Sequence, residues 1–183
     1  MAKELSKWQR IVGAPIIAVI FLLASPFFIV FGIIHYITGK QLSKKFKTKW
    51  EPEEKFILFV YSESPNWQEY IEKNIIPKLQ PNVTTLNWTK RSEWKDDEPL
   101  EAKVLKHWGG DREYNPLAVV FPKKGKVETV RFFKAFKDYK HGNDKLLKQQ
   151  EDNLYQIVAR LKAANKLLHR MRTTGSFLRS AAV

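Results

Sequence analysis

The feature that most constrains the fold is the uncharged apolar run at residues 11–37, IVGAPIIAVIFLLASPFFIVFGIIHYI. A helix of this length extends about 40 Å, more than the roughly 30 Å of a bilayer's hydrocarbon core. The run therefore predicts a transmembrane anchor. Pro15 lies near its entry, Pro26 lies in mid-span, where it should kink the helix, and His35 marks the interface at its far end. A cleaved secretory signal is the competing interpretation, but the run is too long for one and no clear cleavage site follows.

The sequence leaves two arrangements of this span open. One is a single pass, and the other is a shallow hairpin with its tip at Pro26. Basic residues flank the run on both sides, which suits either arrangement, because positive charge is retained on the cytoplasmic side of a membrane. For a single pass, the heavier cluster after the run predicts that the C-terminal domain lies on the cytoplasmic or matrix-like side. The flanking residues are Lys3, Lys7 and Arg10 before the run, and Lys40, Lys44, Lys45, Lys47 and Lys49 after it.

Charge and cysteine content narrow the classes of function. The chain has no cysteine, which excludes disulfides, thiolate metal sites and thiol redox chemistry. Its formal net charge of +13 favours anionic partners such as anionic lipid or an acidic protein surface. In the C-terminal tail, Arg170, Arg172 and Arg179 are candidate contacts for a partner or for lipid. With a predicted anchor in the membrane, nucleic acid is not an expected partner.

Hydrophobic patterns along residues 55–162 alternate between strand and helix. Continuous apolar or β-branched runs predict strands, and apolar residues at helical spacing predict helices. The order is β-α-β-α-β-β-α, an α/β domain in which the first three strands imply crossover connections and a parallel part of the sheet, and a final hairpin adds an antiparallel edge. The predicted strands are 56–61, 83–88, 117–121 and 127–133, and the predicted helices are 67–79, 100–108 and 144 to about 171.

These patterns divide the chain into five segments. They are a basic N-terminal segment (1–10), the anchor (11–37), a linker with basic and acidic residues (38–54), the α/β domain (55–162) and a basic C-terminal extension (163–183).

The element order resembles the thioredoxin fold, and the segment NPLAVVFPKKGKV at residues 115–127 is similar to a local motif of that family. In the family, a cis-proline opens the third strand and a turn with glycine leads to the fourth. The resemblance implies that Pro116 is the cis-proline. It covers roughly residues 55–162.

One departure from the family bears directly on function. The family's Cys-x-x-Cys would fall within residues 64–68, SPNWQ, and neither thiol is present. Because a hydroxyl cannot cycle between oxidised and reduced states, the oxidoreductase activity is not carried over. The resemblance instead implies a concave face that binds extended peptide. Its residues would be Ser62, Ser64, Pro65, Asn66, Trp67, Asn115 and Pro116.

No other pattern nominates a catalytic residue, a metal or a cofactor. The sequence HWGGD at residues 107–111 lacks the lysine and spacing of a phosphate loop, and the four histidines have no ligand spacing. Trp88, Arg91, Trp94 and Lys95 interleave aromatic and basic side chains, which we interpret as the end of a buried strand rather than a base-stacking platform.

The leading hypothesis is a non-enzymatic accessory or scaffold subunit, or an assembly factor, of a larger membrane protein complex. The alternatives are a chaperone-like module that binds peptides beside Pro116, and an enzyme that uses the same fold without thiols.

Overall fold

The computed structural model describes residues 7–94, 97–110 and 114–180, and for residues 7–21, 24 and 168–180 it describes the backbone alone. The chain divides into two compact units, residues 1–41 and residues 42–183.

The first unit contains most of helix α1 (Lys7–Trp50). α1 runs through Pro26 as one helix, so the hairpin with its tip at that proline is wrong. Within the residues whose side chains are described, no helix has a stretch that is both long enough and apolar enough to cross a membrane. Residues 11–21 and 24 of the predicted span, Pro15 among them, lie outside that set. The large apolar side chains described between Leu22 and Ile37 are exposed.

The second unit is a mixed α/β domain with a four-stranded sheet, as the patterns of apolar residues predict. All four predicted strands and all three predicted helices are present, with ends shifted by a few residues, most at the last helix. The strands are β1 (Ile57–Tyr61), β2 (Val83–Asn87), β3 (Leu117–Val120) and β4 (Glu128–Arg131). The helices are α2 (Gln68–Tyr70), α3 (Ile76–Leu79), α4 (Leu100–Gly109), α5 (Phe133–Lys140) and α6 (Lys145–Ser180).

The strand order is β2-β1-β3-β4, with β1 parallel to β2 and β3 antiparallel to both β1 and β4. The prediction that the first three strands are parallel is therefore wrong for β3. The reason lies in α4, which begins beside Trp50 and ends beside Arg131, the register partner of Leu117. The chain thus enters β3 at the end of the sheet where β1 ends, and β3 must run back along β1.

A proline shapes the helical segment between β1 and β2. Pro77 has no N–H with which to continue the α-helical hydrogen bonds. Just before it, residues Ile71–Ile75 form a π-turn, and the Ile76 N–H donates to the Ile71 carbonyl oxygen. The π-turn joins α2 to α3, so residues 68–79 form one helical segment, as the sequence predicts.

Side chains that point alternately to the two faces of the sheet are buried on both. Ile57 and Phe59 face one core, shared with α3, α5 and α6, whereas Leu58 and Val60 face a second core, shared with α4 and the end of α1. Because both faces are covered, the strands are continuous apolar runs, which is why they are easily recognised in the sequence.

The end of α1 is part of this domain, although the sequence assigns residues 38–54 to a linker. Phe46 is completely buried and stacks on Phe121, with ring centroids 4.1 Å apart. The buried carboxylate of Glu101 accepts hydrogen bonds from Lys49 Nζ at 2.8 Å and Trp50 Nε1 at 2.7 Å. These contacts fasten residues 46–50 to α4 and β3.

One helix escapes prediction entirely. α5 (Phe133–Lys140) follows β4 at once, and its Ala135 and Phe136 are buried in the first core. The predicted fourth strand includes Phe132 and Phe133, but the strand ends at Arg131.

The burial of Phe46 predicts a large loss of stability on truncation. We expect Phe46→Ala to lower the free energy of unfolding by about 3–5 kcal/mol, because it removes a ring from a closed core and leaves a cavity. Thr48→Ala, at an exposed position of the same helix, should change it by less than about 0.5 kcal/mol. Chemical denaturation of the full-length protein measures both. Equal small effects would mean that residues 42–50 are not part of the folded domain.

Candidate functional site

The candidate site lies at the end of the sheet where β1 ends and β3 begins. Val60 is paired with Leu117 in antiparallel register. The segments Ser62–Trp67 and Tyr114–Pro116 therefore leave the sheet at the same end. The sequence prediction that these two segments share one face depends on this pairing.

The turn after β1 is held by its own hydrogen bonds. The Ser62 carbonyl oxygen accepts from the Ser64 N–H at 2.9 Å and from the Trp67 indole Nε1–H at 3.1 Å. The Ser64 carbonyl oxygen accepts from the N–H groups of Trp67 and Gln68, and the Ser64 Oγ accepts from the Asn66 N–H at 3.3 Å. Pro65 and Asn66 are exposed at its tip. The serines are thus used to form the turn and begin the helix.

Three aromatic side chains connect the two segments, and we call Trp67, Tyr114 and Phe133 the aromatic face. Phe133 lies between the other two, with its ring centroid 6.2 Å from that of Trp67 and 4.8 Å from that of Tyr114. Tyr114 is 43% exposed and Phe133 is 36% exposed, while Trp67 is half-buried against Phe136. Side chains of this size and exposure are typical of surfaces that bind protein.

The residues just before β3 border the aromatic face. Pro116 is buried, its bond to Asn115 is cis, and its carbonyl oxygen accepts from the Phe132 N–H at 2.9 Å. The Asn115 Oδ1 atom is buried and has no hydrogen-bond partner among the residues described. A buried acceptor without a donor costs free energy, and a bound chain could supply an N–H to this oxygen only after the Asn115 side chain turns toward the surface.

A tyrosine at the end of β1 also bonds to the helical segment that follows the turn. Tyr61, the last residue of β1, donates its hydroxyl hydrogen to Glu72 Oε1 at 3.0 Å, and Gln68 Nε2 donates to the same oxygen at 3.2 Å. Burial, together with the hydrogen bond and charge of Glu72, raises the pKa of Tyr61 to about 12. The hydrogen bond therefore persists at any ordinary pH.

A buried carboxylate lies in α6, one of the helices that share the first core. Glu151 of α6 is buried, and its Oε1 atom has no hydrogen-bond partner among the residues described. Burial, and second the Glu151 carboxylate, raise the pKa of Tyr70 above its usual value. Burial and the same carboxylate raise the pKa of Tyr155 to about 12. Glu151 thus lies among tyrosine hydroxyls rather than beside a candidate nucleophile.

The remaining predicted residues belong to other elements of the chain. Pro26 and His35 lie in α1, where the His35 ring stacks on Phe31 at 6.5 Å. Arg170, Arg172 and Arg179 lie in α6, and their side chains are outside the described residues. Trp88 and Trp94 contact each other and pack against the second core. Within the described part of the chain, no group of three His, Cys, Asp or Glu residues could hold a metal ion.

Sequence reasoning missed two members of the aromatic face. Tyr114 directly precedes the Asn115-Pro116 pair, and that adjacency is a usable signal. Phe133 carries no such signal, because RFF at residues 131–133 reads as the continuation of a strand.

No protein-family model, curated protein or solved structure matches this chain.

The raised pKa of Tyr61 predicts a loss of stability at alkaline pH. In the unfolded chain this group ionises near pH 10, whereas in the folded protein its pKa is about 12. The folded state therefore holds more protons between these values, so this contribution to stability is complete below pH 10 and is lost as pH rises to about 12. We expect Tyr61→Phe to flatten the fall of unfolding free energy with pH in this window, as measured by urea denaturation. Glu72→Gln should flatten it partly, and an unchanged slope in both variants would contradict the assignment.

The unpartnered Asn115 Oδ1 predicts that the folded domain tolerates replacement of this side chain by an apolar one. We expect Asn115→Leu to leave the free energy of unfolding unchanged, or to raise it by up to about 1 kcal/mol, because no hydrogen bond of this oxygen is lost. The matched control is Asn82→Leu, since the buried Asn82 donates through Nδ2 to the Glu54 carbonyl oxygen at 2.9 Å. This control should lose about 1–3 kcal/mol. Equal losses in the two variants would show that Asn115 has a structural partner.

Proposed function

We propose that this protein is a non-enzymatic, membrane-anchored protein with a thioredoxin-like domain, and that it acts as an accessory or scaffold subunit, or as an assembly factor, of a larger membrane protein complex. The domain would hold a polypeptide of a partner subunit on the aromatic face and beside Asn115.

The aromatic face carries this proposal. Tyr114 and Phe133 expose large rings to solvent, and the stacking between them fixes their positions. Rings that are already ordered lose little conformational entropy when a partner covers them. The adjacent Asn115 Oδ1 offers a buried acceptor. An apolar contact beside a directional hydrogen bond is the pairing expected of a peptide-binding surface.

The sheet topology supports the thioredoxin-like part of the proposal. The domain has two βα units followed by an antiparallel hairpin and a final helix, and a proline directly precedes the third strand. The absence of cysteine leaves this end of the sheet without redox chemistry, and the Ser64 hydroxyl of its turn bonds locally. Neither the lack of cysteine nor the local hydrogen bonding of the turn calls for a substrate at this end of the sheet.

The apolar part of α1 supports the membrane anchor. Phe27, Phe28 and Phe31 are each at least 70% exposed, and isoleucine and valine side chains between them are also exposed. A soluble monomer rarely exposes apolar side chains over several helical turns, so lipid or another protein must cover this surface. The preceding uncharged residues at 11–21 extend the same composition.

A chaperone-like module that binds peptides at the same face is the second candidate. It uses the same rings and the same acceptor, and differs only in how long the partner stays bound. Association at a fixed stoichiometry favours the subunit, and exchange among many clients favours the chaperone.

The test is to extract the full-length protein with a mild detergent from cells that express it and identify what accompanies it through size exclusion by quantitative mass spectrometry. We expect a constant set of membrane proteins at fixed stoichiometry. The double variant Tyr114→Ser with Phe133→Ser should lower their recovery by about tenfold or more, the effect of losing an interface hot spot.

Tyr139→Ser is the matched control for this experiment. Tyr139 is 39% exposed and packs against Tyr70 and Phe136 rather than against Phe133. It should retain the partners. Varied substoichiometric clients, lost only in the double variant, would replace the subunit by the chaperone, and a protein that migrates alone would overturn both.

A further inference from the structure

A second candidate site lies at the opposite end of the sheet from the aromatic face. Ile57 pairs with Val83 and with Val120, so β1 and β2 begin where β3 ends. At this end a cavity of about 900 Å³ opens within the second unit. Its volume is in the range of cavities that hold small organic ligands, roughly 300–1,000 Å³.

Lysines dominate the walls of this cavity, which we call the lysine cavity. Among the described residues, six lysines line it, contributed by the end of α1, by the segments before β1 and after β3, and by α6, whereas only Glu51 and Glu54 line it with the opposite charge. The lysines are Lys47, Lys55, Lys123, Lys124, Lys162 and Lys166.

The two carboxylates do not neutralise these lysines. Glu51 lies 3.8 Å from Lys123, and Lys55 pairs instead with Glu53, outside the cavity lining. The other four lysines form no ion pair within the described part of the chain: Lys47, Lys124, Lys162 and Lys166. Like charges that share a concave wall repel one another and concentrate a positive potential inside it. An anion in the cavity would relieve that repulsion.

Two further features define the kind of anion. Lys162 and Lys166 are four residues apart on α6, so their side chains project from one face of the helix toward one ligand group. Burial lowers the pKa of Lys47 below its usual value, although the Glu51 carboxylate opposes this, so an anion that pairs with Lys47 would raise this pKa again. Phe56, which is half-buried, adds aromatic surface to the lining.

We propose that the lysine cavity binds the phosphate group of a small ligand, whose remaining part contacts Phe56. A phosphate carries more than one negative charge and several acceptor oxygens, so it can engage several lysines at once. The ligand is either a soluble phosphate compound or the headgroup of an anionic phospholipid. This site is independent of the proposed partner surface, since the two lie at opposite ends of the sheet.

The test uses inorganic pyrophosphate and a short-chain phosphatidylglycerol as probes on the full-length protein in uncharged detergent. Equilibrium dialysis with radiolabelled pyrophosphate measures its Kd and stoichiometry, and the phosphatidylglycerol is added as a competitor. We expect saturable binding of one pyrophosphate per chain.

Two charge-matched double variants decide whether the cavity is the site. Lys162→Gln with Lys166→Gln should raise the Kd by about tenfold or more, because two point charges near the ligand are lost. Lys137→Gln with Lys140→Gln removes the same charge from exposed positions of α5 outside the cavity and should change Kd less than about twofold, because exposed charges that far away are screened. Equal melting temperatures of the variants check that both fold.

Competition separates the two sources of phosphate. If phosphatidylglycerol displaces pyrophosphate with a lower apparent Kd, the ligand is a lipid headgroup, and if it does not compete, the ligand is a soluble phosphate compound. The proposal is overturned if neither probe binds saturably below 1 mM (a Kd of about 1 mM corresponds to roughly −4 kcal/mol), or if both double variants weaken binding equally.

Discussion

The antiparallel pairing of β1 with β3 is the constraint on which the rest of the domain depends. It brings the turn after β1 and the Tyr114–Pro116 segment to one end of the sheet, and it brings the start of β1 and the end of β3 to the other. Had β3 run parallel to β1, Asn115 would lie beside Phe56 instead of beside the Ser62–Trp67 turn. The aromatic face and the lysine cavity both follow from the direction of this one strand.

The two ends of the sheet have opposite chemistry, and the physical reason is local. At one end, Trp67 and Phe133 extend the first core toward the surface, so the core continues into exposed aromatic rings. At the other end, Phe121 closes the second core, and the residues that follow it are the lysines of the turn before β4. A face built from rings suits a polypeptide, whereas a wall of amines suits phosphate.

Much of the fold could be predicted from the sequence because both faces of the sheet are buried. Strands such as Leu117–Val120 are unbroken apolar runs, and α4 has its apolar residues at helical spacing. The direction of β3 could not be predicted, because it depends on where α4 begins, and residues 88–99 have no apolar period in the sequence that would indicate this. The place of Phe133 in α5 could not be predicted for a related reason, since an apolar residue after a strand gives no sign of whether the strand continues. Part of the candidate site was predictable, through Trp67 and Asn115, whereas the lysine cavity draws its residues from four distant segments that only the folded chain brings together.

The hydrogen bonds to Glu101 determine where this domain can be cut from the rest of the chain. Both donors belong to the end of α1, and both bonds reach the same buried oxygen. A shortened protein that begins at residue 55, where the strand and helix patterns begin, would lack these donors and also Phe46. It would leave the Glu101 carboxylate without its two donors and would open the second core to water. The autonomous folding unit therefore begins inside α1, so the helix that leads out of the apolar run also completes the domain.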